Sequence, residues 1–396
     1  MPWRVQIPIY LTGFFSNSLN DVAGIVLPLW LHGQNASAAT VGLVIGARHI
    51  LPFFFAIHGG ALMDRFGPRR LMVWCCLLSI FAIPLFPVVV WLPGVFLLQM
   101  FNGYGSAIGW LGAQTQFGLH MRGSHTLAGR FAFILRMGSF IGPPIAGLAW
   151  DHFGTFGGFT VLTLWAVGTF VSAYFAPSTS ARGSGALARN LRFADFMPRI
   201  SDYSAALRMA ALPGMTIVLM VTVIRIGASS VQDSFYPLYL TTIGFSATQI
   251  GILVTVSSAV AAAGALLVGP VVRIVPPIWT LILSSAVSVI FVAVTPLLTA
   301  FPALAVTSAL RGLGMGLSQP LMLSMLIEAS GRKAQGIGAA LRTTANRAAA
   351  AITPTSMGVV ASISTLATSF FMVGGVMLVG LAVISIYVRR RPHLTY

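Results

Sequence analysis

Charged side chains inside long apolar runs are the residues of this sequence that could do chemistry. Six arginines and two aspartates stand in such runs: Arg48, Arg136, Arg225, Arg311, Arg342, Arg347, Asp21 and Asp233. A charge is costly in apolar surroundings, so a charge found there marks a binding or coupling site by default. Two carboxylates can neutralise at most two arginines, and guanidinium groups bind carboxylate and phosphate in a bidentate manner. The surplus predicts a site for a small molecule with an anionic group, unless Arg342 and Arg136 reach a polar surface through their flexible stems.

Amide side chains in the same runs extend this predicted site. Arg136 and Arg347 each stand seven residues before a proline, Pro143 and Pro354, so we expect them to occupy equivalent positions that face one cavity. The predicted substrate-binding residues are Asn17, Arg48, Asn102, Arg136, Arg225, Gln232, Arg311, Asn346 and Arg347.

The acidic residues of these runs could carry protons. A half-buried carboxylate binds a proton more readily when it loses contact with water, and less readily when an arginine approaches it. A motion that changes the distance between Asp21 and an arginine could therefore load and release a proton. The alternative is a permanent salt bridge from Asp21 to Arg48 or Arg225. Asp233 and His49 are the other proton-coupling candidates, since imidazole titrates near neutral pH, although a lone histidine in an apolar run is more often a packing residue.

The composition indicates that a membrane surrounds these charges. Hydrophobic residues make up 57% of the 396 residues and charged residues 8%, whereas a soluble domain carries about 25% charged residues. A helix needs roughly 20 apolar residues to cross a bilayer, so this length allows about twelve crossings. The apolar runs are continuous, and they lack the alternation that is typical of membrane-spanning strands.

The apolar runs predict an all-α polytopic membrane protein with twelve transmembrane helices. We number the helices α1 to α12 and predict them at 7–31, 40–62, 71–90, 94–117, 128–150, 156–176, 212–240, 248–270, 278–298, 302–326, 337–360 and 367–388.

The net charge of +16 follows the membrane topology. Lysine and arginine fall in alternate connecting segments, and the intervening loops, such as 241–247 and 362–365, contain neither. This positive-inside bias predicts a multi-pass protein of the cell inner membrane with both termini in the cytoplasm. It explains the basicity without a nucleic-acid partner.

An internal repeat divides the chain. A shift of 209 residues carries Pro28-Leu29-Trp30-Leu31 onto Pro237-Leu238-Tyr239-Leu240, and Asn102-Gly103-Tyr104-Gly105 onto Arg311-Gly312-Leu313-Gly314. A shift of 211 residues carries Gly142, Pro143 and Gly147 onto Thr353, Pro354 and Gly358. Parallel repeats that meet at a midplane site are typical of transporters. We predict an N-terminal six-helix bundle at 1–176, a cytoplasmic linker at 177–211 and a C-terminal six-helix bundle at 212–396.

The segment between α2 and α3 resembles the loop signature of the major facilitator superfamily, G-x-x-x-D-R-x-G-R-[RK]. The matching residues are Gly60, Asp64, Arg65, Gly67 and Arg69, and Pro68 departs from the family's usual basic residue. Arg70 follows directly and belongs to the same predicted gating segment. The resemblance implies a gating role, in which Asp64 complements the N-terminus of a helix in the other half, α11 in this family. A basic cytoplasmic turn would explain the arginines but not the glycine and aspartate spacing.

The sequence of α5 is similar to the antiporter signature of the same superfamily. Its small residues and proline are Gly129, Gly138, Gly142, Pro143 and Gly147, with Ala146 in place of one glycine. The resemblance implies export in exchange for protons, whereas the residues themselves indicate only a kinked, closely packed helix. The arginine that proton-coupled members carry in α4 is missing from Gln99-Met100-Phe101-Asn102-Gly103, which weakens the transfer of their proton relay.

Taken together, these resemblances imply alternating access between two bundles. We expect a proton-coupled secondary transporter that exports a small amphipathic organic compound with an anionic group. The alternatives are an importer or symporter of an organic anion or sugar, and a multidrug efflux pump for cationic or neutral compounds. We expect a monomer in the lipid bilayer, with the proton gradient as its coupling source and neither a cofactor nor a bound metal.

Enzyme activity is not expected of this chain. The sequence lacks the glycine-rich phosphate loop of ATP-driven pumps, and Cys75 and Cys76 are adjacent packing residues rather than a metal cluster. A membrane-embedded enzyme that acts on lipid would need a nucleophile or metal constellation, which we do not find.

Overall fold

A computed structural model of the 396-residue chain shows an all-helical protein. The structure describes residues 2–55, 63, 67–89, 91–120, 125–177, 208, 210–330 and 335–391. The rest of the chain, which includes most of the predicted linker, lies outside the described residues.

Within these ranges the twelve predicted helices are all present. Their bounds are Trp3–Gly33 for α1, Ala38–Ala47 for α2, Pro68–Ala82 for α3, Leu92–His120 for α4, His125–Phe175 for α5 and α6 together, Pro213–Thr242 for α7, Ala247–Leu266 for α8, Pro277–Ala293 for α9, Phe301–Ser330 for α10, Gln335–Ile363 for α11 and Leu366–Arg389 for α12. Short helical turns follow α3, α8 and α9 at Ile83–Leu85, Val268–Val272 and Thr295–Leu297.

Prolines and glycines set several of these helix ends. Pro68, Pro213 and Pro277 begin α3, α7 and α9, where the missing N–H of proline has no helical partner to lose. A single glycine separates α5 from α6, because Gly154 adopts φ 60° and ψ −144°, a conformation that a side chain would disfavour. The predicted boundary between these two helices therefore corresponds to one residue inside a longer helical run.

The α2 helix is kinked near the middle of its predicted crossing. Regular helix ends at Ala47 and resumes at Ile50, so that the stretch Ala38–Phe55 reads as one apolar span. Pro52 explains the kink, because it has no N–H to donate to the Arg48 carbonyl four residues earlier.

Six described stretches are long and apolar enough to cross a bilayer by length and composition alone. One of them, Phe133–Phe175, contains most of α5 and all of α6, and α9 is apolar but only 17 residues long. The four helices that do not qualify are α1, α4, α10 and α11, which carry six of the twelve predicted substrate-binding and proton-coupling residues. Polar side chains lower the hydropathy of these four helices, and half of the candidates for function are among them.

The chain divides into two compact units. The first comprises Met1–Trp30, Ala47–Met197 and Ser246–Gly251, and the second comprises Leu31–Gly46, Pro198–Phe245 and Ile252–Tyr396. Each unit is mostly one half of the repeat plus a short segment from the other half. The core of the second unit centres on buried residues of α7, α9, α10 and α12, such as Met215, Leu281, Met322 and Leu381.

Equivalent glycine contacts recur in both units with the same shift of 209 residues. A methyl group on Gly103 would overlap the Arg48 carbonyl, and one on Gly312 would overlap the Ser257 carbonyl. Two residues further on, a methyl group on Gly105 would overlap the Ser79 hydroxyl, and one on Gly314 the Ser288 hydroxyl. The repeat read from the sequence therefore corresponds to repeated packing of α4 on α2 and α3, and of α10 on α8 and α9.

We predict that Gly312→Ala destabilises the protein, because the added methyl group must displace the backbone of α8. The free energy of unfolding should fall by about 1–3 kcal/mol. Thermal unfolding of the purified protein in detergent would measure this change.

Gly375→Ala is the matched control, because the space around a Cβ at Gly375 in α12 is open. It should be neutral or raise the stability by about 0.5–1 kcal/mol through better helix propensity. Equal effects of the two substitutions would contradict the proposed packing.

Candidate functional site

In the first unit, polar side chains of α1 and α5 gather around Asp21. The Ser139 hydroxyl is hydrogen-bonded to the Asp21 carboxylate, and the Asn17 amide donates to the Ser139 hydroxyl oxygen at 3.1 Å. Arg136 and Arg48 both lie close enough to interact electrostatically with Asp21. The structure thus places Asp21, Asn17, Arg48, Arg136 and Ser139 in one cluster.

Arg48 stands at the kink of α2 and is 8% exposed. Its guanidinium donates a hydrogen bond from Nη2 to Oδ1 of Asn20, one residue before Asp21. His49 follows it in the kink and is half-buried. The backbone of Arg48 lies against Gly103, so the close approach of α4 fixes the position of this arginine.

Two buried amide side chains on α4 stand shortly before Gly103 in the sequence. Asn102 and Gln99 are 3% and 0% exposed. Among the described residues, Oδ1 of Asn102 and both polar atoms of Gln99 have no hydrogen-bond partner. A buried amide without a partner costs roughly 1–3 kcal/mol, so these atoms are available for a ligand or for water. Sequence reasoning selected Asn102 and missed Gln99, although their spacing of three residues places both on one helix face.

In the second unit, Arg311 is the most completely buried charge of the described chain, at 1% exposure. Its guanidinium carbon lies 4.8 Å from the centre of the Tyr236 ring, and the Tyr236 hydroxyl is 2.9 Å from the Ser308 hydroxyl. Asp233, one turn before Tyr236, interacts with Arg311 electrostatically. Within the part of the chain that the structure describes, Nε and Nη2 of Arg311 have no hydrogen-bond partner.

Sequence reasoning placed Arg311 in the site but did not include its partners Tyr236 and Ser308. The signal for Ser308 was its position three residues before Arg311, on the same helix face. The signal for Tyr236 was its position three residues after Asp233.

Arg225 and Gln232 lie on α7 and are both 6% exposed, whereas Asp233 is exposed. Between them, the Ser229 hydroxyl donates to the Arg225 carbonyl at 3.1 Å and contacts the Met315 sulfur at 3.9 Å. The contact links the polar face of α7 to α10, one turn after Arg311.

The predicted residues of α11 are less buried. Arg342, Asn346 and Arg347 are all half-buried. In the described residues, Nε of Arg342 and Oδ1 of Asn346 lack hydrogen-bond partners.

Only part of the predicted gating loop can be compared with the structure, since Gly60, Asp64 and Arg65 lie outside the described residues. Gly67 precedes α3 with φ 82°, a left-handed conformation that favours glycine. The Arg69 guanidinium lies 5.4 Å from the centre of the Tyr174 ring, and Arg70 is exposed.

The glycines of α5 contact neighbouring backbone and side chains. A methyl group on Gly138 would lie 2.7 Å from the Phe14 carbonyl oxygen, and one on Gly142 would lie 2.8 Å from a Val22 methyl carbon. Gly147 is so close to the Ala247 carbonyl that a methyl group would overlap it. Gly129 lies in the same helical run. This packing accounts for the small residues of the signature without assigning a direction of transport.

The comparison with family models decides the classification. The model of the Major Facilitator Superfamily matches residues 9–226 and 218–395, one match for each half. This chain belongs to the major facilitator superfamily. It is therefore a multi-pass membrane transporter with two pseudo-symmetric six-helix bundles, as the sequence predicted. Members of this family are in general transporters and not enzymes.

Solved structures share the fold at low identity. The nucleoside transporter NupG is 13% identical, with a TM-score of 0.76 over 96% of this chain and 99% of that one. A POT family transporter in complex with 5-aminolevulinic acid is also 13% identical, with a TM-score of 0.72 over 99% and 96%. A peptide transporter POT in complex with sulfate has a TM-score of 0.71 and 13% identity over 98% and 94%. A comparison with curated protein sequences found no match.

The pair of Tyr236 and Ser308 allows a test of how the site is held together. Ser308→Ala should lower the free energy of unfolding by about 1–3 kcal/mol, because it leaves the buried Tyr236 hydroxyl without its partner. Tyr236→Phe in the same background should restore most of the loss, because both polar groups are then removed. Chemical or thermal unfolding of the single and double variants measures this cycle. A double variant less stable than both single variants would contradict the hydrogen bond.

Proposed function

We propose that this chain is a proton-coupled secondary active transporter that works by alternating access and exports a small amphipathic organic compound with an anionic group. We further propose that it works as a monomer in the cell inner membrane, with both termini in the cytoplasm and with the proton gradient, rather than a cofactor, as its coupling source.

The observation that carries the proposal is the burial of Arg311. Its guanidinium is almost completely removed from solvent, and two of its three nitrogens have no hydrogen-bond partner among the described residues. A buried charge without adequate partners is strongly unfavourable. A carboxylate or phosphate on the substrate would supply two acceptors in the geometry that a guanidinium requires. These two nitrogens therefore favour an anionic group on the substrate.

The surroundings of Arg311 favour a substrate with an apolar part. Tyr236 presents its ring to the guanidinium, which orients the cation without consuming its hydrogen-bond donors. Met315 lies on the same helix as Arg311, one turn later, and its sulfur contacts the Ser229 hydroxyl at 3.9 Å. Because a methionine side chain is flexible and polarizable, Met315 can adapt to an apolar ligand.

Arg225 belongs to the same compact unit as Arg311 and is also buried, which adds a second positive charge in this unit. The neighbouring structures show that this fold is used for small molecules, including nucleosides and 5-aminolevulinic acid. At 13% identity they are similar in fold only, so the anionic class rests on the arginines. The export direction rests on the glycine and proline pattern of α5.

Asp21 is the proposed proton site. Its carboxylate is bonded to Ser139 and lies near Arg136 and Arg48, which come from α5 and α2. Arginine near the carboxylate favours the charged form, and loss of that contact favours the protonated form. Relative movement of α1, α2 and α5 would therefore change proton binding during the transport cycle.

Ligand-dependent thermal stabilisation tests the role of Arg311. The purified protein would be heated with phenylacetate, phenylacetamide or phenethylamine, which share an aromatic body and differ in charge. We expect phenylacetate to stabilise the protein most. Arg311→Gln should weaken its apparent affinity by roughly tenfold or more, through loss of a charge-assisted pair.

Arg389→Gln is the matched control, because it removes an equal charge from an exposed arginine that lies over Trp279 at the end of α12. Its affinity should remain that of the original protein. Stabilisation by phenethylamine alone, undiminished in Arg311→Gln, would overturn the anionic class.

Proteoliposomes with an imposed pH gradient test the role of Asp21. Asp21→Asn should abolish proton-driven accumulation of the carboxylate identified above and retain exchange between equal concentrations, because a neutral amide cannot carry the proton. Asp233→Asn is the companion variant and should retain proton-driven accumulation. If Asp21→Asn transports like the original protein while Asp233→Asn does not, the proton site is Asp233.

A further inference from the structure

Asp151 lies at the end of α5 and joins it to the beginning of α8. Its Oδ1 accepts the Ala247 N–H at 2.9 Å, and its Oδ2 accepts the Thr248 N–H at 2.8 Å and the Thr248 hydroxyl at 2.5 Å. These residues all belong to the first compact unit, and α8 continues into the second unit after Gly251. One carboxylate on the fifth crossing thus holds the first turn of the eighth.

The first turn of α8 is fully capped through this contact. The Ser246 hydroxyl oxygen accepts the Gln249 N–H at 3.3 Å, and the Gln249 side chain accepts the Ser246 N–H at 3.0 Å. This reciprocal pair is a capping box, which leaves the two N–H groups between its ends without partners. Asp151 supplies acceptors for both, and its negative charge is favourable at the positive end of the helix.

Close backbone packing lies directly beside the carboxylate. One turn before Asp151, a methyl group on Gly147 would overlap the Ala247 carbonyl. One turn into α8, a methyl group on Gly251 would lie 2.6 Å from the Pro143 carbonyl oxygen. Glycines on both helices therefore allow the backbones of α5 and α8 to touch. The hydrogen bonds of Asp151 to Ala247 and Thr248 lie at one end of this contact.

The same contact recurs in the second unit between α11 and the beginning of α2. A methyl group on Gly358 would lie 2.5 Å from the Ala38 carbonyl oxygen, and one on Gly42 would overlap the Pro354 carbonyl. These residues are the repeat equivalents of the α5 and α8 residues, with shifts of 209 and 211. The equivalent of Asp151 is Ser362, whose hydroxyl donates to the Val359 carbonyl in its own helix at 2.7 Å. The glycine packing is duplicated, but the carboxylate cap is not.

We propose that Asp151 is a latch that holds the outer end of α5 against the outer end of α8 and must release in each transport cycle. This inference rests on the proposed alternating-access function, in which the outer ends of the two bundles part to open the site. A fifth crossing that starts from a cytoplasmic terminus ends at the outer side. The glycine contacts permit closure in both places, and the charged hydrogen bonds favour it in one. Asp151 therefore stabilises the contact between the outer ends of α5 and α8.

Cysteine accessibility tests the latch. Ala247→Cys, in a Cys75→Ala and Cys76→Ala background, places a thiol at a position that is 3% exposed. A maleimide too polar to cross membranes would be applied to the protein in nanodiscs, without substrate or gradient. Asp151→Asn should raise the labelling rate by roughly tenfold, since charge-assisted hydrogen bonds to two backbone donors are lost. Thr248→Val, which removes only the hydroxyl bond, should give a smaller increase.

The repeat supplies the control. Ser362→Ala should leave labelling at Ala247→Cys unchanged, and Asp151→Asn should raise labelling at Ala247→Cys more than at the equivalent reporter Ala38→Cys. If neither Asp151→Asn nor Thr248→Val accelerates labelling at Ala247→Cys, the latch is wrong. Because this assay uses neither substrate nor proton gradient, an error in the proposed substrate class or proton site would leave its result intact. If Asp151→Asn does not fold, Thr248→Val decides the outcome.

Discussion

Burial of a guanidinium group over an aromatic ring is the interaction on which this account of the molecule depends. Arg311 is removed from water by α7 and α10, and Tyr236 and Asp233 interact with it while two of its nitrogens remain without partners in the described chain. A buried charge in that position destabilises the folded protein, and an anionic ligand would offset this cost by supplying hydrogen-bond acceptors. The proposed selectivity for an anionic group rests on this single placement.

The repeat determines where that charge can stand. Gly312 brings the backbone of α10 against that of α8, as Gly103 brings α4 against α2. The residue before each glycine is buried, Asn102 in one unit and Arg311 in the other. Equivalent positions of the repeat therefore carry a neutral amide in one half and a cation in the other. Asp151 and Ser362 are a second pair of equivalent positions that differ in charge. Shared packing gives the two halves one architecture, and differences at single positions give them different polar groups.

The fold was predictable from the sequence because long apolar runs, prolines and glycines act locally. Twelve helices and the register of the repeat follow from those signals, and the kink of α2 could have been read from Pro52. The site was predictable only by residue type. The charges in apolar runs identified Arg48, Arg136 and Asp21 as candidates, but they did not indicate that these three side chains lie in one cluster. Ser139, which is hydrogen-bonded to the Asp21 carboxylate, is uncharged, so the same criterion did not select it. Partners such as Ser308 for Tyr236, and Thr248 for Asp151, depend on contacts between distant segments that no local pattern encodes.

The most direct measurement is an experimental structure of the protein bound to an iodinated aromatic carboxylate, with the iodine located from its anomalous scattering. The account predicts that the carboxylate lies within hydrogen-bond distance, about 3 Å, of the Arg311 guanidinium, with the ring toward Met315. A carboxylate bound away from Arg311, with that guanidinium still without a ligand, would contradict it.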